Sequence, residues 1–200
     1  MNEPPATATG PDADYPFRLT ITHQEKYSRF MPLIKWLLAI PHYIVLLILG
    51  IGAFFVLIFS WFAVLITGRY PRGLWNYMVG VIRWSNRVNS YIYLMVDPYP
   101  PFSLDDDPDY PTRVEAEYPE RVERWRPLVA WLLAIPYLIL AGILVYLAYI
   151  LSFFAFFTIL FARTFPKGMF DIAEVGLRWQ LRGSAYACWL TTRYPPWIWG

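Results

Sequence analysis

Few residues in this chain are equipped for chemistry. Its 200 residues include two histidines, one cysteine and 15 carboxylates. His42 lies inside a long apolar run, and an ionisable side chain in such a place is a candidate functional residue. A histidine there could ligate a tetrapyrrole metal, relay protons, or contact a cofactor or partner. No second histidine or carboxylate joins it in the run, which favours a neutral imidazole bonded to backbone loosened by Pro41. His23 and Glu25 lie outside the run and read as solvated. Asp171 and Glu174 precede Arg178, and the i,i+4 spacing of Glu174 and Arg178 suits a salt bridge better than acid–base work. Cys188 reads as a packed apolar residue. A single cysteine excludes an intramolecular disulfide and a Cys-based zinc cluster. HExxH, CxxC, a phosphate-cradling glycine loop and a Ser-His-Asp order are all missing from the sequence. The expectation is a protein that is not an enzyme and needs no metal or other cofactor.

The arginines are the better candidates for binding. Arg69, Arg72, Arg83 and Arg87, with Arg163, Lys167, Arg178 and Arg182, should gather near the surface of the cytoplasmic leaflet. Guanidinium forks suit phosphate oxygens, and basic pockets between helices hold anionic lipid headgroups. The competing reading is charge that merely sets topology.

The elements that must position these residues are dominated by apolar runs. The chain is 57% apolar and 20% aromatic but only 16% charged, against roughly 25% charged in soluble domains. Too little polar surface remains to coat it against water. The net charge of +2 is too small for a nucleic-acid footprint. Residues 1–14, rich in Pro, Ala, Thr and Asp, lack a basic region followed by an apolar core. They read as a disordered tail and not as a secretory signal.

The phrases KWLLAIP (35–41) and AWLLAIP (130–136) stand 95 positions apart, and that offset aligns residues 15–102 with 110–197 without a gap; 29 of the 88 positions are identical. Tyr15-Pro16 meets Tyr110-Pro111, Arg83-Trp84 and Arg87 meet Arg178-Trp179 and Arg182, and Tyr99-Pro100-Pro101-Phe102 meets Tyr194-Pro195-Pro196-Trp197. The chain is a tandem duplication whose unit is too long for a solenoid: a first repeat at 15–102, an acidic linker at 103–109 and a second repeat at 110–197. KWLLAIPHYIV, WFAVLITGRYPRG, RWSNRVNSY and DPYPPFSL together resemble an uncharacterised bacterial membrane-protein family, the domain of unknown function 4389. That resemblance implies a multi-spanning protein of the bacterial inner membrane and supplies no activity or catalytic residue.

Charge-free runs extend over 32 residues from Trp36 to Thr67 and 36 from Pro127 to Ala162, well beyond the 18 or so that mark a membrane helix. Both ends of each run are basic, and basic flanks favour the cytoplasm. Each run should then cross an even number of times, as a hairpin turning at Gly50-Ile51-Gly52 with legs at about 31–49 and 53–69. Four crossings would leave both termini cytoplasmic and the repeats parallel. The rival is an interfacial helix up to Pro41 followed by one tilted helix. Segments 74–95 and 169–190 read as amphipathic interfacial helices, with Asn76, Gly80, Arg83 and Arg87 along one face. Alternating stretches at 17–22 and 112–117 suggest short strands that pair across a pseudo-twofold axis.

The expected fold is mainly α: an integral membrane protein of parallel repeats with short cytoplasmic strands. The expected role is that of a non-enzymatic accessory or scaffold subunit in contact with membrane lipids and with partner membrane proteins or further copies of itself. The alternative is a small transporter or channel of parallel repeats, which usually carries polar groups at mid-membrane. The runs offer little beyond Ser60, Ser152, Thr158 and His42. A lipid-modifying enzyme is disfavoured because no nucleophile–base pair stands out.

Overall fold

A computed structural model describes residues 14–198; of the expected tail, all but Asp14 lies outside the described residues. The elements run β1 (Phe17–Ile21), α1 (Met31–Leu38), α2 (Ile40–Thr67), α3 (Arg72–Ile92), β2 (Thr112–Ala116), α4 (Arg126–Ala162) and α5 (Lys167–Ala187). The fold is mainly helical with one two-stranded sheet.

The apolar runs are long helices, and the expected hairpins are absent. α2 continues through Gly50-Ile51-Gly52, and α4 runs unbroken for 37 residues. A continuous helix satisfies the backbone N–H and C=O groups of the run internally. Glycine in a helix costs only about 1 kcal/mol relative to alanine, too little to force a turn. Gly52 answers to packing instead: the Tyr77 ring lies where a methyl would go, with Cζ 3.2 Å from the ideal Cβ position. The break between α1 and α2 is slight. Ala39 N donates to Lys35 O at 2.9 Å and Tyr43 N to Ala39 O at 3.0 Å, so i→i−4 bonding carries across it. α2 closes at Gly68 with φ +69°, and α4 closes in the same left-handed geometry at Arg163 with φ +57°.

The two strands pair antiparallel with Leu19 opposite Val114 at the centre. These two residues occupy the same position in their repeats, so a pseudo-twofold axis passes through that pair. Contacts elsewhere obey the same symmetry and cross between repeats. Tyr27 N donates to Arg163 O and Val122 N to Gly68 O, each at 2.9 Å. The Tyr15 hydroxyl donates to Arg193 O at 3.1 Å and the Tyr110 hydroxyl to Pro98 O at 3.0 Å. β1 packs on α5 and β2 on α3. Each repeat thus lays its strand on the other repeat's helix.

The same contacts fix the direction of the long helices. Arg29 Nη2 reaches Phe161 O at 3.5 Å, and Trp61 Nε1 donates to Pro127 O at 3.3 Å. The start of each long helix lies beside the end of the other, so the two run antiparallel.

α3 and α5 are amphipathic, as their pattern predicts, but they are not helices lying free at a surface. The face bearing Gly80, Arg83 and Arg87 is covered by β2 and the acidic linker: a Cβ at Gly80 would sit 2.8 Å from Leu104 Cβ, Arg83 Nε donates to Val114 O at 3.1 Å, and Arg87 donates to Ser103 O. Asn76, beyond the ribbon's reach, is exposed. The linker has no helix or strand between 103 and 109.

Candidate functional site

His42 is the most enclosed of the expected site residues, with 0% exposure. Pro41 and the start of α2 aim it at α3, where Trp84 Nε1 donates to its Nδ1 at 3.1 Å. Phe102 stacks on the imidazole at 4.1 Å and 14°, and Tyr99 closes the box at 4.8 Å. Accepting from an indole means Nδ1 is bare and Nε2 carries the proton of the neutral ring. Nε2 is buried without a hydrogen-bond partner. A cofactor or partner would reach this ring only by displacing Phe102 or Tyr99.

The second repeat builds the same box around Tyr137, from Trp179, Tyr194 and Trp197. Its tryptophan lies flat on the tyrosine at 4.7 Å and 12°, whereas Trp84 stands at 83° to His42. The hydrogen bonds account for the difference. The lone pair of Nδ1 lies in the imidazole plane, so the Trp84 N–H must approach edge-on. Trp179 gives its N–H to Ile198 O at 3.0 Å and stacks its face on Tyr137.

The expected arginine cluster divides into two groups. Arg83, Arg87, Arg178 and Arg182 act within the fold. Besides the bonds of Arg83 and Arg87 to the β2 and linker carbonyls, Arg178 pairs with Glu174 at 3.0 Å, and Arg182 holds its guanidinium 5.2 Å over the Tyr15 ring. Glu174 in turn accepts from Ile21 N at 3.4 Å, tying α5 to β1. Burial lowers the pKa of Arg87, opposed by Asp107, and burial raises that of Glu174, opposed by Arg178. Arg87 and Arg182 are almost fully buried, Arg87 against the linker and Arg182 against Tyr15.

Arg69, Arg72 and Lys167 stay exposed at the long-helix ends. Arg72 pairs with Glu120 at 2.9 Å and lies 4.2 Å over the Tyr118 ring. Lys167 pairs with Asp171 at 3.0 Å. Arg69 enters a cleft of about 630 Å³ with Arg121, Arg124, Glu123 and Thr192. Arg121 and Arg124 meet Arg69 through the crossed packing of the repeats, which spacing along the chain does not reveal.

A buried ion pair was also missed. Lys35, 1% exposed, lies 2.9 Å from Asp97, donates to Val96 O at 2.7 Å and sits 4.9 Å over the Tyr91 ring. The second repeat has Ala130 and Thr192 at these positions. Among the described residues no group of three or more His, Cys, Asp or Glu is placed to hold a metal ion.

Two helices, Met31–Thr67 counted through its slight break and Arg126–Ala162, are long and apolar enough to cross a membrane. Their most apolar 18-residue stretches are only 6% and 28% buried, unlike the core helix of a soluble protein. These helices and the doubled aromatic boxes define a duplicated helical protein with large unburied apolar faces. Residues 32–103 and 124–198 each match the family described as a domain of unknown function, DUF4389; the chain belongs to that family, in two tandem copies. No curated protein and no solved structure matches it.

Proposed function

We propose that the chain is a non-enzymatic accessory or scaffold protein of the bacterial inner membrane, its termini cytoplasmic, offering an aromatic helix surface to a larger membrane complex. The observation that carries this reading is the exposed face of the long helices. Ile44, Leu47, Ile51, Phe54, Ile58 and Phe62 line one side of α2, and Ile139, Ile143, Tyr146, Phe153, Phe157 and Phe161 line one side of α4. Soluble monomers rarely expose contiguous apolar patches beyond a few hundred Å², and aromatic side chains are enriched where membrane and protein partners meet. Exposed Arg69, Arg72 and Lys167, now joined by Arg121 and Arg124, are suited to anionic headgroups.

The test is fractionation followed by purification in mild detergent, with mass spectrometry of bound protein and lipid. The expected result is retention in membranes after carbonate washing, a stoichiometric partner, and phosphatidylglycerol that is lost when Arg69, Arg121 and Arg124 are all changed to glutamine. Release by carbonate, or a particle that never contains a second protein, refutes the scaffold role.

A further inference from the structure

We propose that the protein sits in a single leaflet, its two long helices lying in the plane of the membrane and its β-ribbon facing water. The inference rests on the membrane part of the reading above and concerns how the chain meets the lipid.

Symmetry supplies the first step. A twofold rotation preserves height along its axis and reverses every direction perpendicular to it. If α1–α2 climbed along the axis from start to end, α4 would climb equally and in the same sense. The start of each helix would then lie far below the end of the other. Instead they meet at both places, through Tyr27 N to Arg163 O and Val122 N to Gly68 O, each 2.9 Å. The long helices therefore lie perpendicular to the axis, which passes through Leu19 and Val114.

Energetics supplies the second step. If the axis lay in the membrane plane, both long helices would span and the ribbon would sit at mid-bilayer. Its outer face carries Arg18 paired with Glu115 at 2.8 Å, and Arg113 paired with Asp106 at 3.3 Å, with side chains 33% to 49% exposed. Such residues cost roughly 2.5–3.5 kcal/mol each at the centre of a bilayer on insertion scales. The spanning arrangement would also divide the basic ends between opposite sides, Arg69, Arg121 and Arg124 on one and Arg29 and Arg163 on the other, against the preference of basic residues for one side.

With the axis along the membrane normal, both costs vanish. All of these basic ends lie at one height, level with the headgroups. α3 presents Tyr77 and Trp84 to α2 but Arg83 and Ser90 to the ribbon, so ribbon and long helices occupy different sides of it. The uncharged faces of α2 and α4 then enter the acyl chains while the ribbon stays wet. Length agrees: α4, about 55 Å long at 1.5 Å per residue, is far too long for a hydrocarbon core of about 30 Å, but has no such limit in the plane.

The test places single spin labels at Ile44→Cys, Ile51→Cys and Ile58→Cys, all on the exposed face of α2, in a Cys188→Ser background. The protein is reconstituted in phosphatidylcholine–phosphatidylglycerol liposomes, and immersion depth is read from collision with oxygen and with a water-soluble nickel chelate. The expected result is one shared depth, about 5–10 Å below the headgroups. Residue 51 lying about 10 Å deeper than 44 and 58, the rise of seven helical residues, would overturn the proposal and leave the membrane reading intact. Three labels in free water, with the protein floating apart from the lipid, would overturn both. Arg29→Cys and Arg69→Cys add a second readout: an impermeant maleimide should reach both from the same side of the vesicle, and reaction from opposite sides refutes the arrangement.

Discussion

Substituting Gly52 and its near neighbour Gly50 by alanine tests whether α2 is continuous. A methyl at Gly50 meets nothing within 4 Å, so Gly50→Ala should be neutral or stabilising by up to about 1 kcal/mol, the helix preference of alanine over glycine. A methyl at Gly52 falls inside contact distance of the Tyr77 hydroxyl oxygen and 3.2 Å from Cζ. The ring must swing away and release its 2.9 Å bond to Leu49 O. That bond is worth about 0.5–1.5 kcal/mol, and overpacking costs about 1–3 kcal/mol. After the helix gain of about 1 kcal/mol is subtracted, the net loss expected for Gly52→Ala is about 0.5–3.5 kcal/mol. In a Tyr77→Phe background the blocking oxygen is gone and the ring need yield only a few tenths of an ångström, so the same substitution should cost less than about 1 kcal/mol. The assay is the unfolding midpoint in detergent micelles for the four members of the cycle and for Gly50→Ala, with each kcal/mol moving the midpoint by about 2–4 °C in a chain of this size. Equal damage from Gly50→Ala and Gly52→Ala would restore a turn at 50–52 and refute the continuous helix. Strict additivity with Tyr77→Phe would refute the placement of Tyr77.

Lys35→Ala should be among the most damaging substitutions in α1, because breaking a buried pair by removing one partner costs about 3–5 kcal/mol; Asp97 is partly exposed, which favours the lower end, and the double change Lys35→Ala with Asp97→Thr, which installs the second repeat's residues, should recover most of the loss in a thermal melt. His42→Phe deprives the Trp84 indole of its acceptor and should cost about 1–3 kcal/mol, whereas Tyr137→Phe leaves the Trp179 bond to Ile198 in place and should cost less; equal losses would show that the Trp84 bond contributes nothing. The Cys188 thiol, pushed up from 9.0 to about 11 by burial, should react with maleimide roughly a hundredfold more slowly at pH 7.5 than a free cysteine, because the thiolate is the reacting form. Its rate should then climb about tenfold per pH unit toward pH 11, and a rate matching free cysteine at pH 7.5 would refute the raised pKa of this half-buried thiol.

The duplication was legible because its offset never shifts between residues 15 and 102. The strands and their pairing followed from it, since a twofold must set equivalent residues opposite one another. The helix-or-hairpin choice was not legible. A glycine pair marks a turn and a slot for a bulky neighbour equally well, and nothing around Gly52 names Tyr77, 25 residues on, as the occupant. The partners of the arginines were not legible for a related reason. A polar stripe on an amphipathic helix shows that polar partners are needed there, without saying whether water, a phosphate or a strand carbonyl supplies them. Arg83 and Arg87 found carbonyls because the other repeat's strand reaches across, and a crossed contact leaves no trace in local spacing. Nothing local to Lys35 names its partner, because Asp97 lies 62 residues away along the chain.

The two repeats hold their long helices by different means, and the substitutions between them correspond. In the second repeat Gly176 and Gly183 let α5 lie close along α4; a Cβ at Gly176 would come within 2.8 Å of Leu144 O, and one at Gly183 within 2.7 Å of Leu138 Cδ2. Ala130, Ala134, Ala141 and Ala148 form the matching stripe on α4, all buried. Small residues that bring backbones together are an effective adhesive for helices in an apolar setting, where burial from water gives no drive. The first repeat has Val81 and Val88 in place of the glycines, and α3 makes fewer close approaches to α2. Polar side chains join them as well: Tyr77 to Leu49 and Trp84 to His42, while Lys35 of α1 pairs with Asp97 just beyond α3. Such bonds are strong where water is excluded, but a group that loses its partner there is left unsatisfied at a cost of about 1–3 kcal/mol. Dispersion along a stripe of small residues is instead lost in small increments. The first repeat is therefore the half whose packing a single substitution can most sharply undo, although its apolar run is the more hydrophobic of the two.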